Sequence, residues 1–281
     1  MALPKFLVKR IPKQENIRRI RKLIDDCRIH TVCESAKCPN IGECFSQNTL
    51  TFMVLGNICT RNCRFCGVEK GKPLPPDPSE PGRIATAVKK LGLRYVVITS
   101  VTRDDLPDGG ASQFAAVAKN LYPLKVETLI PDFRGSELAL GTVLDATPHV
   151  LNHNLETVPR LYPKIRPQAD YARSLSILKS VKKRGLYSKS GFMVGLGETK
   201  QEVISVLEDL RKVECDFVTI GQYLPPSKAH PEAARYVPPD EFEEYSEIGE
   251  KMGFRRVFAG PFVRSSYRAG EIIEWKKRNA Y

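Results

Sequence analysis

The sequence predicts an α/β fold: a partial, TIM-like barrel of six β/α units, with a cysteine-rich amino-terminal extension before it and a carboxy-terminal tail after it. Three observations predict it. Short apolar runs rich in β-branched and aromatic residues recur between turn residues. Amphipathic stretches of helical period separate them, and repeated strand-then-helix order requires parallel strands joined by right-handed crossovers. Six such units are too few to close an eight-fold barrel, so the barrel stays open.

The strand candidates lie at 51–55, 95–99, 125–130, 149–152, 191–194 and 217–222. Helical patterns fall at 83–91, 111–121, 168–184 and 200–213. The last follows Glu198 and Thr199, where the threonine hydroxyl can cap the first turn. A basic, helix-like stretch at 18–27 precedes them all. The chain thus divides into a 1–50 extension, a 51–225 barrel and a 226–281 tail rich in proline and charge. In parallel α/β architectures functional groups gather at the carboxyl ends of the strands, so the loops there hold the candidate residues.

With 281 residues the chain can bury a full core, and its composition excludes disorder, collagen and low-complexity arrays. No apolar run approaches the roughly 20 residues that span a bilayer, and residues 1–10 lack a secretory apolar stretch. The expectation is a cytoplasmic chain with no membrane association. Lysine and arginine total 44 against 32 acidic residues, a formal net charge of +12. That excess favours an acidic partner, nucleic acid or an acidic carrier protein. The alternative is a well-solvated basic surface, since only Arg18-Arg19-Ile20-Arg21-Lys22 forms a compact run.

Eight cysteines in a reducing compartment point to metal ligation or redox chemistry before disulfides. Seven fall between Cys27 and Cys66, and Cys215 stands apart. Cys27 and Cys215 read as small buried hydrophobes. The sharpest motif is Cys59-Thr-Arg-Asn-Cys63-Arg-Phe-Cys66, a C-x3-C-x2-C loop directly after the first strand. Three thiolates so close together can bind three irons of a 4Fe–4S cube and leave the fourth iron for a chelating ligand. A structural zinc knuckle wants four closed ligands, and no fourth is adjacent. The second triplet, Cys33-Glu-Ser-Ala-Lys-Cys38-Pro-Asn-Ile-Gly-Glu-Cys44, is ambiguous alone: its spacing suits zinc, a cluster or nothing.

Four more motifs sit near strand ends. Within Thr99-Ser-Val-Thr-Arg-Asp-Asp-Leu106, the side chains of Arg103, Asp104 and Asp105 either steer the charged ends of a ligand or pair with each other. In Asn152-His-Asn-Leu-Glu-Thr157, Asn154 and Glu156 suit hydroxyl or ammonium groups, or are satisfied loop residues; His153 receives no role. Gly191-Phe-Met-Val-Gly-Leu-Gly-Glu198 lacks the Rossmann spacing and reads as a tight strand-to-helix turn. Arg264-Ser-Ser-Tyr267 lies in the tail.

These six motifs, in this order and over nearly the whole chain, resemble the lipoyl synthase family of radical S-adenosylmethionine enzymes. The resemblance implies two 4Fe–4S clusters. Cys59, Cys63 and Cys66 would hold the radical-generating one, whose open iron takes the amino and carboxylate groups of S-adenosylmethionine. Cys33, Cys38 and Cys44 would hold an auxiliary cluster, consumed as the sulfur donor, with a serine on its remaining iron, Ser266 ahead of Ser265. Phe65, Arg103, Asp104, Asn154 and Glu156 would contact S-adenosylmethionine, Phe65 near the adenine. No catalytic residue beyond the clusters is implied, since an aliphatic C–H is too weakly acidic for a general base and needs a cofactor radical.

The implied reaction inserts sulfur at C6 and C8 of an octanoyl chain amide-linked to lysine. The implied partners are an octanoylated lipoyl-carrier domain or glycine cleavage H protein, a reduced donor such as ferredoxin or flavodoxin, and an iron–sulfur carrier that rebuilds the cluster. Neither nucleic acid nor membrane is implied. A ferredoxin-like electron carrier or nucleic-acid-binding iron–sulfur protein would explain the cysteines and charge, but not six β/α units or an open triplet. A related sulfur-inserting or methylthiolating enzyme acting on tRNA would carry an added RNA-binding domain, for which the 226–281 tail leaves little room.

Overall fold

A single eight-stranded sheet, parallel in all but one strand, carries the chain's chemistry at its carboxyl ends in the computed structural model, which describes residues 3–9 and 14–271. The remaining positions of the two terminal regions lie outside that description. In chain order the elements are α1 (Gln14–Cys27), β1 (His30–Thr31), α2 (Val32–Ser35), α3 (Ile41–Ser46), β2 (Thr51–Val54), β3 (Ile58–Cys59) and β4 (Glu69–Lys70). There follow α4 (Glu80–Leu91), β5 (Tyr95–Ser100), α5 (Ala111–Asn120), β6 (Lys125–Leu129), α6 (Glu137–Asp145), β7 (Val150–Asn152) and α7 (Tyr162–Ile165). The last are α8 (Tyr171–Lys183), β8 (Tyr187–Val194), α9 (Lys200–Lys212), β9 (Phe217–Gln222), α10 (Pro239–Lys251) and β10 (Arg256–Gly260).

The sheet order is β1-β2-β5-β6-β7-β8-β9-β10. Only β1 runs antiparallel to its neighbour. All six predicted strands appear in sequence order, and β1 and β10 lie at opposite edges without pairing, so the partial barrel is open as expected. The tail, rich in proline and charge, supplies α10 and a seventh parallel strand that was not among the strand candidates, β10, in register with β9 from Arg256 against Phe217 to Gly260 against Gly221. In β10 Val257 alone is fully buried, which is too weak a pattern to read as a strand. α10 opens on Pro239, a residue suited to a first helical turn.

Local chemistry agrees with the global plan. Thr199 Oγ1 accepts from Glu202 N, and the Glu202 carboxylate returns a bond to Thr199 N, a complete capping box for α9. Val203, Val206, Leu207 and Leu210 then form one fully buried stripe on that helix. Each such side chain contributes about 1.5–3 kcal/mol on removal from water. Cys27 and Cys215 are buried in the two main hydrophobic clusters. Among the described residues no helix is long and apolar enough to cross a membrane.

A polar network crosses four neighbouring strands. Lys189 Nζ on β8 sits 2.9 Å from Glu127 Oε1 on β6, their side chains 1% and 0% exposed. Asn152 Nδ2 of β7 donates to the same oxygen at 2.9 Å, and Tyr95 Oη of β5 donates to the other at 2.8 Å. Glu127→Ala strands a buried ammonium and should destabilise the protein by about 3–5 kcal/mol in urea titration, whereas Glu127→Leu with Lys189→Met should recover most of that loss. Equal costs for the single and double variants would show that the pair is not the reason.

Candidate active site

The first triplet is delivered by a strained turn. After β2 the chain passes through Leu55 and Gly56, both left-handed (φ 69° and 87°), into β3. Glu80 Oε2 accepts from Leu55 N at 3.0 Å, and Arg103 Nη1 donates to Leu55 O at 3.4 Å. β3 pairs with β4, closing the loop that carries Cys59, Cys63 and Cys66. Thr60 N and Oγ1 both donate to Thr102 O, at 3.0 and 2.9 Å. Arg64 N donates to Ile165 O at 2.8 Å. The Cys59 Sγ accepts from Thr102 N at 3.3 Å and from Arg61 N at 3.4 Å, bonds that a thiolate strengthens.

Arg61, between the first two cysteines of this loop and 5% exposed, is the main clamp. Its guanidinium binds Asp104 through two bonds of 2.7 and 2.9 Å and Asp132 Oδ1 at 2.6 Å. The cluster loop is thereby tied to the loops after β5 and β6.

The second triplet lies on the segment from α2 to α3, with Cys33 buried and Cys38 and Cys44 partly so. The tail closes over it. A side chain on Gly221 would strike Val263 O at 2.1 Å, so only glycine at the end of β9 lets residues 262–267 settle there. Gly191 plays the same part on β8, where a Cβ would meet Thr219 Oγ1 at 2.3 Å and Asn154 Oδ1 and Ser265 Oγ at 3.1 Å.

Both triplets line one cavity of about 490 Å³, together with Phe65, Asn154, Glu156, Arg166, Arg264, Ser265 and Ser266. Among the described residues no three His, Cys, Asp or Glu side chains converge on a single-ion site; the thiols surround the chamber instead. Burial pushes the Cys33 and Cys66 thiols up to about 12 and Cys44 to about 11, and raises Cys63 as well. Thiols so placed become thiolates only beside a cation.

Three residues of the cavity lining carry buried polar atoms, Asn154 Oδ1, Arg166 Nε and His153 Nε2, that have no hydrogen-bond partner among the described residues. Asn154 Nδ2 donates to Glu156 Oε1 at 3.0 Å and to Ser265 Oγ at 2.6 Å. Glu156 occupies a left-handed position (φ 67°), bridged to Phe192 of β8, strain of the kind found at ligand sites. Burial raises its carboxyl above the usual range, against the opposing charge of Arg166. Burial lowers His153 to about 4, with Arg166 adding to it, so the ring is neutral and its Nδ1–H donates to Ile130 O at 2.9 Å. An unfilled set of one amide acceptor, one imidazole acceptor and guanidinium donors fits a small polar ligand with hydroxyl, ammonium and carboxylate groups.

The structure gathers Phe65, Asn154, Glu156, both serines and all six cysteines around this chamber. It does not bring Arg103 and Asp104 there. Arg103 is 1% exposed and paired with Asp105 at 2.9 and 2.8 Å, while Asp104 is committed to Arg61. Of the surface pairing weighed as the alternative for this motif, only the Arg103–Asp105 pair forms, with Arg103 buried, while Asp104 pairs outside the motif and buttresses the cysteine loop. Arg166 and Arg264 escaped the sequence reading. Arg166 has no local signal, whereas Arg264 stood beside the serines already singled out. The basic run of α1 spends itself on neighbours: Arg18 on Gln14, Arg19 on Asn48, Arg21 on Glu34 and Lys22 on Asp26.

The open parallel barrel and a cysteine triplet at the end of its first core strand define a class. The sequence model of the Radical SAM superfamily matches residues 53–210, more than half of the chain, which is a member of that superfamily. Solved structures with the same fold include methylornithine synthase PylB (TM-score 0.53, 16% identity, 80% of this chain and 64% of that one). Another is Streptococcus suis SuiB bound to S-adenosylmethionine (TM-score 0.57, 12% identity, 74% and 49%). At such identities they speak to fold alone. The lipoyl synthase of Caldanaerobacter subterraneus subsp. tengcongensis is 57% identical over 274 residues, 95% of each chain. That of Aquifex aeolicus is 56% identical over 260 residues, 90% of this chain and 94% of its own. The chain belongs to the lipoyl synthase family.

The Arg61 clamp makes a stability prediction. Burial works to raise Asp132, but the hydrogen bonds and charge of Arg61 outweigh it and hold the carboxyl at about 2. A depressed carboxylate stabilises above its unfolded value and loses that contribution as pH falls through the folded one. Asp132 should thus contribute about 2 kcal/mol that disappears as pH drops from about 4 toward 2. In Arg61→Gln apoprotein, urea titrations at several pH values should lose this slope, and a slope equal to wild type would contradict the clamp.

Proposed function

We propose that the two triplets hold separate 4Fe–4S clusters facing one chamber, in which two sulfur atoms enter an octanoyl chain at C6 and C8 while its lysine remains attached to a carrier protein. The observation that carries this reading is the shared cavity: Cys33, Cys38 and Cys44 line it together with Cys59, Cys63 and Cys66. When bound, the cluster on Cys59, Cys63 and Cys66 would supply the electron that cleaves S-adenosylmethionine reductively, and the cluster on Cys33, Cys38 and Cys44 would supply sulfur.

The remaining work belongs to the chain. Asn154 and Glu156 offer an amide and a carboxylate to ribose hydroxyls or the methionine ammonium, and Arg166 faces them as the cation for a carboxylate. Phe65, packed into the hydrophobic cluster beside β8 and β9, presents its ring to the adenine. Met53, Val101, Leu129, Phe192 and Met193 wall the chamber with apolar surface that excludes water and suits an acyl chain. Neutral His153 spends its N–H on Ile130 O and has its acceptor Nε2 left for a ligand. Ser265 is engaged by Asn154, while no side-chain hydrogen bond engages Ser266 among the described residues, which supports Ser266 as the fourth auxiliary ligand.

A protein substrate and a reduced electron donor follow from this reaction. An octanoylated lipoyl-carrier domain or glycine cleavage H protein fits the first role, and ferredoxin or flavodoxin the second, with an iron–sulfur carrier restoring the spent cluster. Lys37 and Lys70 are exposed on the cavity lining and would meet an acidic carrier face.

Separate clusters predict separable losses. Cys63→Ala should abolish 5′-deoxyadenosine formation but retain the auxiliary iron. Cys38→Ala should keep nucleoside formation and lose the thiolated product, followed together by chromatography and mass spectrometry. Equal loss of both products in a folded Cys38→Ala protein would refute the division of labour.

Alkoxide is a harder ligand than thiolate and matches iron less well in a sulfur-rich cube, so its bond is the first to open. Ser266→Cys should therefore assemble its cluster yet release sulfur poorly, with at least about a tenfold fall in lipoyl product, roughly 1.4 kcal/mol in rate terms. Wild-type yield and spectrum in that variant would remove Ser266 from the iron.

A further inference from the structure

One polar cluster outside the triplets joins three parts of the chain far apart in sequence. Lys9 Nζ donates to Asn40 Oδ1 at 2.6 Å and pairs with Glu43 Oε2 at 2.7 Å. The same ammonium lies 4.4 Å from the centroid of the Phe262 ring and 5.7 Å from that of Tyr267. Tyr267 Oη donates to the other Glu43 oxygen at 2.6 Å, and Asn40 Nδ2 donates to Phe262 O at 2.7 Å. Three of its members lie beside residues of the auxiliary site. Asn40 follows Cys38 by two positions, Glu43 immediately precedes Cys44, and Tyr267 immediately follows Ser266.

We propose that Lys9, Glu43 and Tyr267 form a clasp that positions Ser266 over Cys33, Cys38 and Cys44, which makes them positioning residues for the auxiliary cluster. The proposal rests on the reading of Ser266 as its fourth ligand. A serine hydroxyl is a weak partner for iron, so its occupancy depends on how firmly residues 262–267 are seated. Gly221 admits that segment from below by allowing Val263 O against β9. The clasp holds it from the other side, and Lys9 is the keystone because one cation satisfies a carboxylate, an amide and two ring faces at once. Since Lys9 lies more than thirty positions from Glu43, the amino-terminal segment becomes part of the auxiliary site, although it carries no ligand.

The test compares reconstituted full-length wild type, Lys9→Met, Lys9→Arg, Tyr267→Phe and Ser266→Ala, without S-adenosylmethionine. Iron loss to a chelator and the Mössbauer signal of the auxiliary iron are read, with circular dichroism confirming the fold. Lys9→Met and Tyr267→Phe should lose auxiliary iron about two- to fivefold faster than wild type, the factor such a half-exposed pair or hydrogen bond carries. Their Mössbauer signal should shift in the direction seen for Ser266→Ala, and Lys9→Arg should restore wild-type behaviour. A changed Ser266→Ala beside wild-type Lys9→Met and Tyr267→Phe overturns the clasp alone. A wild-type Ser266→Ala overturns the ligand reading and the clasp with it. Faster iron loss in Lys9→Met with an unshifted signal and no rescue by arginine marks a purely structural contact and overturns the positioning role.

Discussion

Six cysteines around one small cavity set a desolvation problem on which much of the structure turns. A thiolate needs nearby positive charge to exist away from water, and the four of these thiols with resolved shifts are all pushed upward by burial. In the proposed reading iron meets that need, with the surrounding protein holding two sets of sulfur ligands at a fixed separation. The guanidinium of Arg61 is committed to Asp104 and Asp132, which fixes the geometry of the cysteine loop.

The barrel provides the fixed separation. One triplet follows β2, at the carboxyl end of the parallel strands, and the other stands on the extension that packs through β1 against the same strand. The tail then returns across β8 and β9, and two glycines, Gly191 and Gly221, let its backbone and Ser265 approach as closely as they do. With α10 and β10 extending the sheet, residues 226–260 are part of the barrel wall.

What the sequence made legible follows from the range of each signal. Strand periodicity, the Thr199 cap and the two cysteine triplets are written within a few residues and were readable. β10 was not, because its pattern is short and mostly half-exposed. Arg103 and Asp104 were identified as candidates for charged contacts, but their direction depends on Leu55 and Arg61, more than forty positions away. Arg166 enters the chamber from a loop with no motif at all. The choice between Ser265 and Ser266 likewise rests on a partner more than a hundred positions distant, Asn154. Convergence of remote residues is a property of topology, which local pattern does not encode.

The central claim is two clusters with different duties in one chamber, and one anaerobic measurement bears on it most directly. Reconstituted protein is assayed for iron, then mixed with S-adenosylmethionine, reductant and an octanoyl-lysine peptide, with 5′-deoxyadenosine and peptide sulfur followed by mass spectrometry. The account predicts about eight irons per chain and a doubly thiolated peptide accompanied by the nucleoside. About four irons, a zinc-only protein, or nucleoside formation with no sulfur transfer would contradict it.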